Sequence, residues 1–407
     1  MQLPLRSFRY RNYRLFFAGQ ALSLTGTWMQ SIAASWLVYR LTNSAFLLGA
    51  AAFLGQIPTF IITPFGGVLA DQFNRRRMLI ITQVFAMFQA LMLAFLTISG
   101  MVQVWHVFAL SMLLGVINAF DIPIRQSFVV ELVEDKADLG NAIALNSLVF
   151  NGARLIGPSI AGLIIAVTGE GICFLINSLS FPAVIIALLM MRITPNAVRP
   201  IREPLLKSFK EGALYAFGFG QMRYVLLLTI LTSVMGMSYV VLMPIFARDI
   251  LGGGAHTLGF LMGSAGLGAL IGAVYLASRK GVEGLLERIV PMSVVVFGLA
   301  LTAFSFSRNF WLSLILILLA GCGVMVQTVA SNTVLQDLTQ DDKRGRVMSL
   351  YAMAFMGMMP FGSLIAGTLA GKIGAPHALL ISGIACILGT IFFLRINKFP
   401  FKRCPRP

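Results

Sequence analysis

The sequence predicts an all-α membrane protein of twelve transmembrane helices, arranged as two pseudo-symmetric bundles of six helices each. The first reason is composition: 58% of the 407 residues are hydrophobic and 11% are charged, which is too apolar for a soluble domain. The second is the length of uncharged stretches such as 78–120 and 373–394, since a helix needs about 20 residues to cross hydrocarbon. The third is an internal repeat.

The repeat supports the division into two bundles. Residues 140–162 and 345–367 match at an offset of 205, close to half the chain length. The matched glycine pairs are Gly140/Gly345, Gly152/Gly357, Gly157/Gly362 and Gly162/Gly367. Two copies of one half are typical of membrane transporters whose site lies between the halves. We expect an N-terminal six-helix bundle over 1–192, a cytoplasmic linker with an amphipathic helix over 193–222, and a C-terminal six-helix bundle over 223–407.

Apolar segments mark the twelve expected spans. Those of the first half are 15–38, 46–69, 78–98, 105–130, 142–167 and 172–191. Those of the second half are 224–247, 257–278, 289–306, 311–335, 347–370 and 377–395. In the linker, apolar residues at helical spacing predict a helix lying in the membrane interface, and an unstructured linker is the alternative.

The distribution of basic residues predicts the orientation of the spans. If both termini face the cytoplasm, 25 of the 31 Lys and Arg residues lie on the cytoplasmic side, as the positive-inside rule requires. The net charge of +16 is then explained by topology and by contact with anionic lipids, and no soluble domain offers a face for nucleic acid. We expect a multi-pass protein of the bacterial cytoplasmic membrane with both termini in the cytoplasm.

A basic loop follows the second span. Its notable residues are Gly67, Asp71, Arg75 and Arg76, followed by a third arginine. Asp71 can pair with the neighbouring guanidinium groups, and Asn74 suits a left-handed turn in a tight loop. A basic loop after a span is also an ordinary topology signal, so both interpretations stay open here.

The fifth span carries a ridge of small residues. Ala153, Gly157 and Ala161 recur at every fourth position, which lets a neighbouring helix approach closely. Pro158 removes one backbone donor and favours a kink, and Gly162 completes the run. Helix packing alone accounts for this ridge.

Ionisable residues inside spans are costly and mark functional candidates. Asp121 is the one acid that we place well inside a span, and Arg154 is the one base near the middle of a span. Their depths agree within a helical turn, so a buried Asp121–Arg154 pair is expected. It would serve as a structural clamp or as a site for protons or substrate. A pair between Asp121 and Arg125, at i and i+4, is the remaining alternative.

Scattered amides and aromatic residues predict a largely apolar cavity that suits amphiphilic substrates. The candidate lining residues are Gln30, Gln56, Asn118, Asn146, Asn151, Trp28, Trp36, Tyr239 and Gln327. Each single amide has an equally good interpretation as a polar contact between helices.

Three of these patterns resemble a known family. The loop 67–77 resembles the signature Gly-x-x-x-Asp-Arg-x-Gly-Arg-Arg of the major facilitator superfamily, with Gln72 and Asn74 departing from it. The run 157–162 resembles the antiporter signature Gly-Pro-x-x-Gly-Gly, with Ala161 departing. The stretch 8–26 and the run 121–123 resemble the branch of bacterial enterobactin (siderophore) exporters and macrolide-efflux proteins. The resemblance implies a cytoplasmic gate at Gly67, Asp71, Arg75 and Arg76, and it implies export.

Together these patterns predict a secondary active transporter that exports a small amphiphilic compound, drug-like or siderophore-like, by alternating access and proton antiport. The alternative is a lysophospholipid or metabolite transporter that works inward or without proton coupling. We expect a monomer that needs no cofactor or metal. The spans hold no convergent catalytic side chains and the chain has no phosphate-binding Gly-x-x-x-x-Gly-Lys loop, so an enzyme and a nucleotide-driven pump are disfavoured.

Overall fold

The computed structural model of this chain describes residues 6–72, 74–133, 135–192, 205–279, 281, 283–340 and 343–396. Regular structure in these ranges is helical throughout. In the first half the helices are α1 (Arg11–Thr42), α2 (Ala45–Gln72), α3 (Arg75–Ile98), α4 (Val104–Glu131), α5 (Leu139–Thr168) and α6 (Glu170–Met190). They are followed by α7 (Leu205–Gly218), α8 (Gly220–Ile250), α9 (Ala255–Ala277), α10 (Leu285–Phe306), α11 (Phe310–Leu338), α12 (Arg344–Ile373) and α13 (Ala375–Ile396).

Length and composition make most of these helices membrane spans. Within the described ranges, eleven helices are long and apolar enough to cross a bilayer. The helix α1 has 32 residues but falls outside that group, because Gln20, Gln30 and several hydroxyl side chains make it less apolar. A helix satisfies all of its backbone hydrogen bonds internally, which is why uncharged stretches of this length fold as helices in lipid. The expected all-α membrane protein is confirmed.

The chain divides into two compact units. The first consists of Met1–Asn43, Leu54–Ile201 and Gly253–Gly263. Within it, α1 packs against α5 and α6, and α3 packs against α4 and α6. A core of large apolar side chains, including Tyr13 and Phe128, lies where the first turns of α1 and α3 meet the last turns of α4 and α6.

The second unit consists of Ser44–Phe53, Arg202–Gly252 and Ser264–Pro407. Within it, α10 packs against α11 and α13, and α7 packs against the first turns of α12. π-Helical turns occur inside α8 (Thr232–Gly236) and α12 (Met353–Gly357), at the end of α8 (Phe246–Ile250) and at the start of α10 (Leu285–Ile289). The division at 1–192 and 223–407 stays a prediction, since the packing assigns two short segments, 44–53 and 253–263, across it.

Two glycines end corresponding helices of the repeat. Gly169 separates α5 from α6 with φ of 85°, and Gly374 separates α12 from α13 with φ of 84°. They lie 205 positions apart, the same offset as the glycines found in the sequence. Positive φ is strained for other residues, so glycine is the residue that permits this sharp break in both copies.

Candidate functional site

The ridge of small residues in α5 lies against α1. A β-carbon added to Gly157 would lie 2.7 Å from the β-carbon of Trp28 and 3.0 Å from the carbonyl oxygen of Thr25. In the second copy of the repeat, Gly362 of α12 meets the backbone of Val234 in α8 in the same way. Both glycines therefore allow a helix of their own unit to approach closely.

The last glycine of each repeat segment, Gly162 or Gly367, also lies close to the backbone of another helix. A β-carbon added to Gly162 would lie 2.7 Å from the carbonyl oxygen of Ala255 and 2.9 Å from the Cα atom of Gly259 in α9. A β-carbon added to Gly367 would likewise lie 2.9 Å from the Cα atom of Gly49 in α2. Pro158 and Ala161 are buried beside Gly162. The antiporter-like run is thus part of a tight helix crossing.

A charged cluster lies inside the first unit, where α1, α3 and α4 meet. One oxygen of the Asp121 carboxylate accepts hydrogen bonds from Thr82 Oγ1 at 2.9 Å and Gln83 Nε2 at 2.8 Å. Its other oxygen lies 2.6 Å from Nη2 of Arg125. Arg125 Nη1 donates to Gln20 Oε1 at 3.0 Å. The Asp121 carboxylate is 3% exposed, so its charge is balanced almost entirely by these neighbours.

The partner of Asp121 differs from the expected pairing with Arg154. Asp121 pairs with Arg125, the i,i+4 alternative, because successive turns of one helix bring the two side chains together without any movement of α5. Arg154 instead holds its guanidinium carbon 5.8 Å from the centre of the Trp28 ring. The coupling role of these residues stays a prediction.

The structure describes the side chains of only part of the expected gate motif. Gly67 and Asp71 belong to the last turns of α2, where their side chains lie outside the described residues. Arg75 Nη1 lies 2.5 Å from Glu131 Oε1, at the end of α4. Arg76 Nη2 donates to the carbonyl oxygen of Leu189, near the end of α6, at 2.7 Å. These two arginines connect the start of α3 to the ends of two other helices in the same unit.

The expectation for Asn74 is wrong. Asn74 has φ of −64° and ψ of 108°, which is extended and not left-handed. Its side-chain oxygen accepts a hydrogen bond from the backbone N–H of Arg77 at 3.1 Å. Asparagine therefore serves here as the N-cap of α3, where it satisfies a donor that the first helical turn leaves free.

Three of the residues expected to line a cavity are instead fully packed. Gln30 is 3% exposed, donates to Gln89 Oε1 at 3.0 Å and accepts from Asn177 Nδ2 at 2.7 Å. Gln327 is buried and its Nε2 lies 3.3 Å from the hydroxyl of Thr229, and Tyr239 is also buried. These side chains lie inside the helix packing of their own units, so the interpretation as interhelical contacts holds for both amides.

The remaining candidates keep part of their surface accessible. Half-buried residues are Gln56, Asn118, Asn146, Asn151, Trp28 and Trp36. The Trp28 ring meets the ring of Phe150 edge-on at 5.9 Å. Asn151 Nδ2 donates to the Ser147 carbonyl at 2.9 Å and so binds along its own helix. Their role in substrate binding stays a prediction.

Comparison with known proteins places the chain in a family. The model of the family described as "Transmembrane secretion effector", within the major facilitator superfamily, matches residues 3–403. The chain belongs to this family. It is a multi-pass membrane transporter of the efflux and secretion type and not an enzyme, and the expected superfamily membership is confirmed.

Several relatives and a solved structure agree with this assignment. The transporter is 27% identical to the staphyloferrin A transporter of Staphylococcus aureus, over 95% of this chain and 96% of that protein. It is 23% identical to macrolide efflux protein A of Streptococcus pyogenes (96% and 98% covered) and to the enterobactin exporter EntS of Shigella boydii (95% and 94% covered). The crystal structure of a single mutant of the nucleoside transporter NupG superposes on this chain with a TM-score of 0.74. The match covers 95% of this chain and all of the other at 13% sequence identity, so the two proteins share a fold.

Sequence reasoning missed two acidic residues of this transporter that hold arginines. Glu131 binds Arg75, and Glu170 at the start of α6 binds Arg40 through two hydrogen bonds of 2.7 and 3.1 Å. Glu170 is only 4% exposed. Its position directly after Gly169, at the boundary of two spans, is the signal that could have indicated it.

A third acid fixes the segment before α1. The Asp138 carboxylate accepts one hydrogen bond from the Tyr10 hydroxyl at 3.0 Å and lies 2.8 Å from Arg9 Nη2. The Ser7 backbone N–H donates to Asn141 Oδ1 at 3.0 Å. The hydrogen bond to Tyr10, with the charge of Asp138 adding to it, raises the pKa of the Arg9 guanidinium. The N-terminal segment is therefore bound to the start of α5.

Proposed function

We propose that this transporter exports a small amphiphilic compound, drug-like or siderophore-like, by alternating access coupled to proton antiport. The observation that carries the coupling is the buried Asp121, whose carboxylate lies inside a membrane helix with Arg125 as its one cationic contact among the described residues. Relatives named for staphyloferrin A, macrolides and enterobactin support export of such compounds.

The surroundings of Asp121 suit a site that exchanges a proton. While Arg125 stays in contact, its positive charge balances that of the carboxylate. The Arg125 side chain is 22% exposed, so the packing encloses it less than it encloses Asp121, and a shift of α4 against α1 could separate the pair. An unpaired carboxylate in this apolar position is costly, so the second arrangement would need another positive charge, and we assign that place to the transported proton. Alternation between the two arrangements would couple the proton to the conformational change.

We extend the proposal to a cytoplasmic gate and to the orientation of the chain in the membrane. Asp71, with Arg75 and Arg76, would hold the loop after α2 when the transporter opens outward. Arg75 supports this role through Glu131, since the pair ties the start of α3 to the end of α4. The bundles would span 1–192 and 223–407, the protein would work as a monomer in the bacterial cytoplasmic membrane, and both termini would face the cytoplasm.

A second candidate is transport without proton coupling, or inward transport of a lysophospholipid or metabolite. One observation favours it. The stretch 15–38 of α1 contains no acidic residue. Drug–proton antiporters of the superfamily often carry an acid there, and the present chain would depend on Asp121 alone.

Transport into inverted membrane vesicles tests the proposal. Vesicles with the wild-type transporter should accumulate staphyloferrin A or erythromycin when the interior is made acidic, and should accumulate much less without the pH gradient. Vesicles from cells that carry the empty vector are the control. Accumulation that is equal with and without the gradient would support the second candidate, and no accumulation of either compound would contradict export of this class.

A further inference from the structure

Arg154 combines a membrane position with a lack of charge partners. It lies midway along α5, with its guanidinium over the Trp28 ring, and it is half-buried. Across the described part of the chain, no carboxylate and no hydrogen-bond acceptor binds it. By contrast, Arg125 is paired with Asp121, and Arg40 is paired with Glu170.

Because an unpaired positive charge inside the bilayer is costly, binding of an anion beside Arg154 would be favourable. A charged side chain inside the bilayer is costly unless it is paired or hydrated. The contact with Trp28 attracts the guanidinium but leaves the positive charge in place. The rings of Trp28 and Phe150, 5.9 Å apart, present apolar surface beside this charge. A cation beside aromatic surface is complementary to a molecule with an acidic group and an apolar body.

The second copy of the repeat shows that the fold does not require this charge. At the offset of 205, Arg154 corresponds to Met359 in α12, which is also helical although a π-helical turn precedes this position. The equivalents of Asp121 and Arg125 are Val326 and Ala330. Since both copies fold as helices, helix formation does not require the three charged residues of the first copy.

We propose that Arg154, supported by Trp28, binds the anionic group of the transported compound, so that the preferred substrates are amphiphiles with a carboxylate or another acidic group. The proposal rests on the proposed export function. A guanidinium can donate two parallel hydrogen bonds to a carboxylate or sulfonate, which an uncharged amide cannot replace. The phosphate of a lipid has the same chemistry, and the test below separates the two sources.

A matched pair of fluorescent probes tests the proposal. Anilinonaphthalene sulfonate and phenylnaphthylamine share one aromatic skeleton, and only the first carries a negative charge. Binding of each is measured with the purified transporter in nanodiscs of zwitterionic lipid. The wild type should bind the sulfonate about tenfold or more tightly than Arg154→Gln does, while the two bind phenylnaphthylamine equally. Arg154→Lys should restore part of the difference.

Controls make each outcome decisive. Arg308→Gln removes one positive charge from a loop and should leave the affinity for both probes unchanged. Nanodiscs with added anionic lipid should leave sulfonate binding unchanged, and competition by that lipid would assign Arg154 to a headgroup instead. Equal loss of both probes in Arg154→Gln, or no loss of either, would overturn the proposal. The export function would survive that result, because it is tested separately by substrate accumulation in inverted vesicles, and a failure there with wild-type binding of both probes would count against export and not against the Arg154 site.

Discussion

The carboxylate of Asp121 lies 2.6 Å from the guanidinium of Arg125, one turn later on the same helix. A pair within one helix does not by itself connect two helices. The connections come from Thr82 and Gln83 of α3, which donate to Asp121, and from Gln20 of α1, which accepts from Arg125. A shift of α4 against either neighbour must therefore break hydrogen bonds of this charged cluster.

The charged cluster predicts a specific pattern of energetic coupling. Asp121→Asn and Arg125→Gln should each lower the melting temperature, and the double variant should lose less than the sum of the two, because removing one partner leaves a buried charge uncompensated. The Asp121→Asn and Arg154→Gln changes should add, since these residues do not meet. The two double-variant cycles, measured by thermal unfolding in detergent, compare the pairs directly. Additive effects for Asp121 and Arg125 would contradict the described pairing.

The tight crossing at Gly162 predicts strong sensitivity to one added methyl group. Gly162→Ala would place a β-carbon 2.7 Å from the carbonyl oxygen of Ala255, so α5 and α9 would have to separate. The expected cost is about 1–3 kcal/mol, together with slower transport. Gly152→Ala is the matched control, since no atom lies within 4 Å of its added β-carbon. It should leave stability unchanged or raise it by up to about 1 kcal/mol. Equal behaviour of the two variants would argue against the crossing.

The buried amide network predicts a structural and not a substrate-binding role for Gln30. Gln30→Leu would leave Asn177 Nδ2 and Gln89 Oε1 without their partners, at a cost of about 1–3 kcal/mol. The Michaelis constant for transport should stay the same. The half-buried Gln56 is the comparison, and Gln56→Leu should cost less stability. A raised Michaelis constant in Gln30→Leu, with unchanged stability, would return Gln30 to the substrate site.

The N-terminal segment predicts a difference between two neighbouring acids. Asp138 is 3% exposed and binds both Arg9 and Tyr10, whereas Asp135 is 57% exposed and lies 3.6 Å from Arg9. Asp138→Ala should release the segment before α1 and lower the melting temperature, while Asp135→Ala should have little effect because an exposed pair contributes little. Limited proteolysis of the N-terminal region, compared between the two variants, measures the release. Equal protection in both variants is the outcome that would count against this attachment.

Helices and repeat glycines followed from the sequence because their causes are local. Uncharged stretches of about 20 residues can satisfy their backbone only as helices in lipid, and spacing alone revealed the small residues at Gly157 and Gly162. The importance of Asp121 was likewise visible, since an acid inside a span needs a reason.

The side-chain contacts that could not be predicted depend on which way each side chain points within the packed helices. Depth along the membrane did not distinguish Arg154 from Arg125 as the partner of Asp121, and the structure pairs Asp121 with the arginine one turn later on its own helix while Arg154 lies over Trp28. The side that Gln30 faces depends on the neighbouring amides of α3 and α6, which are distant in sequence. Asparagine is common both in left-handed turns and at helix N-caps, and the sequence did not distinguish the two for Asn74. In the structure Asn74 is the N-cap of α3.

Substrate-driven proton movement tests the central claim most directly. The purified transporter is reconstituted into liposomes that enclose a pH-sensitive dye, and erythromycin or staphyloferrin A is imposed as a gradient without any initial pH difference. The wild type should move protons opposite to the substrate, and Asp121→Asn should abolish the pH change while it still exchanges substrate for substrate. A pH change of wild-type size in Asp121→Asn, or none in the wild type while substrate moves, would contradict proton antiport through Asp121.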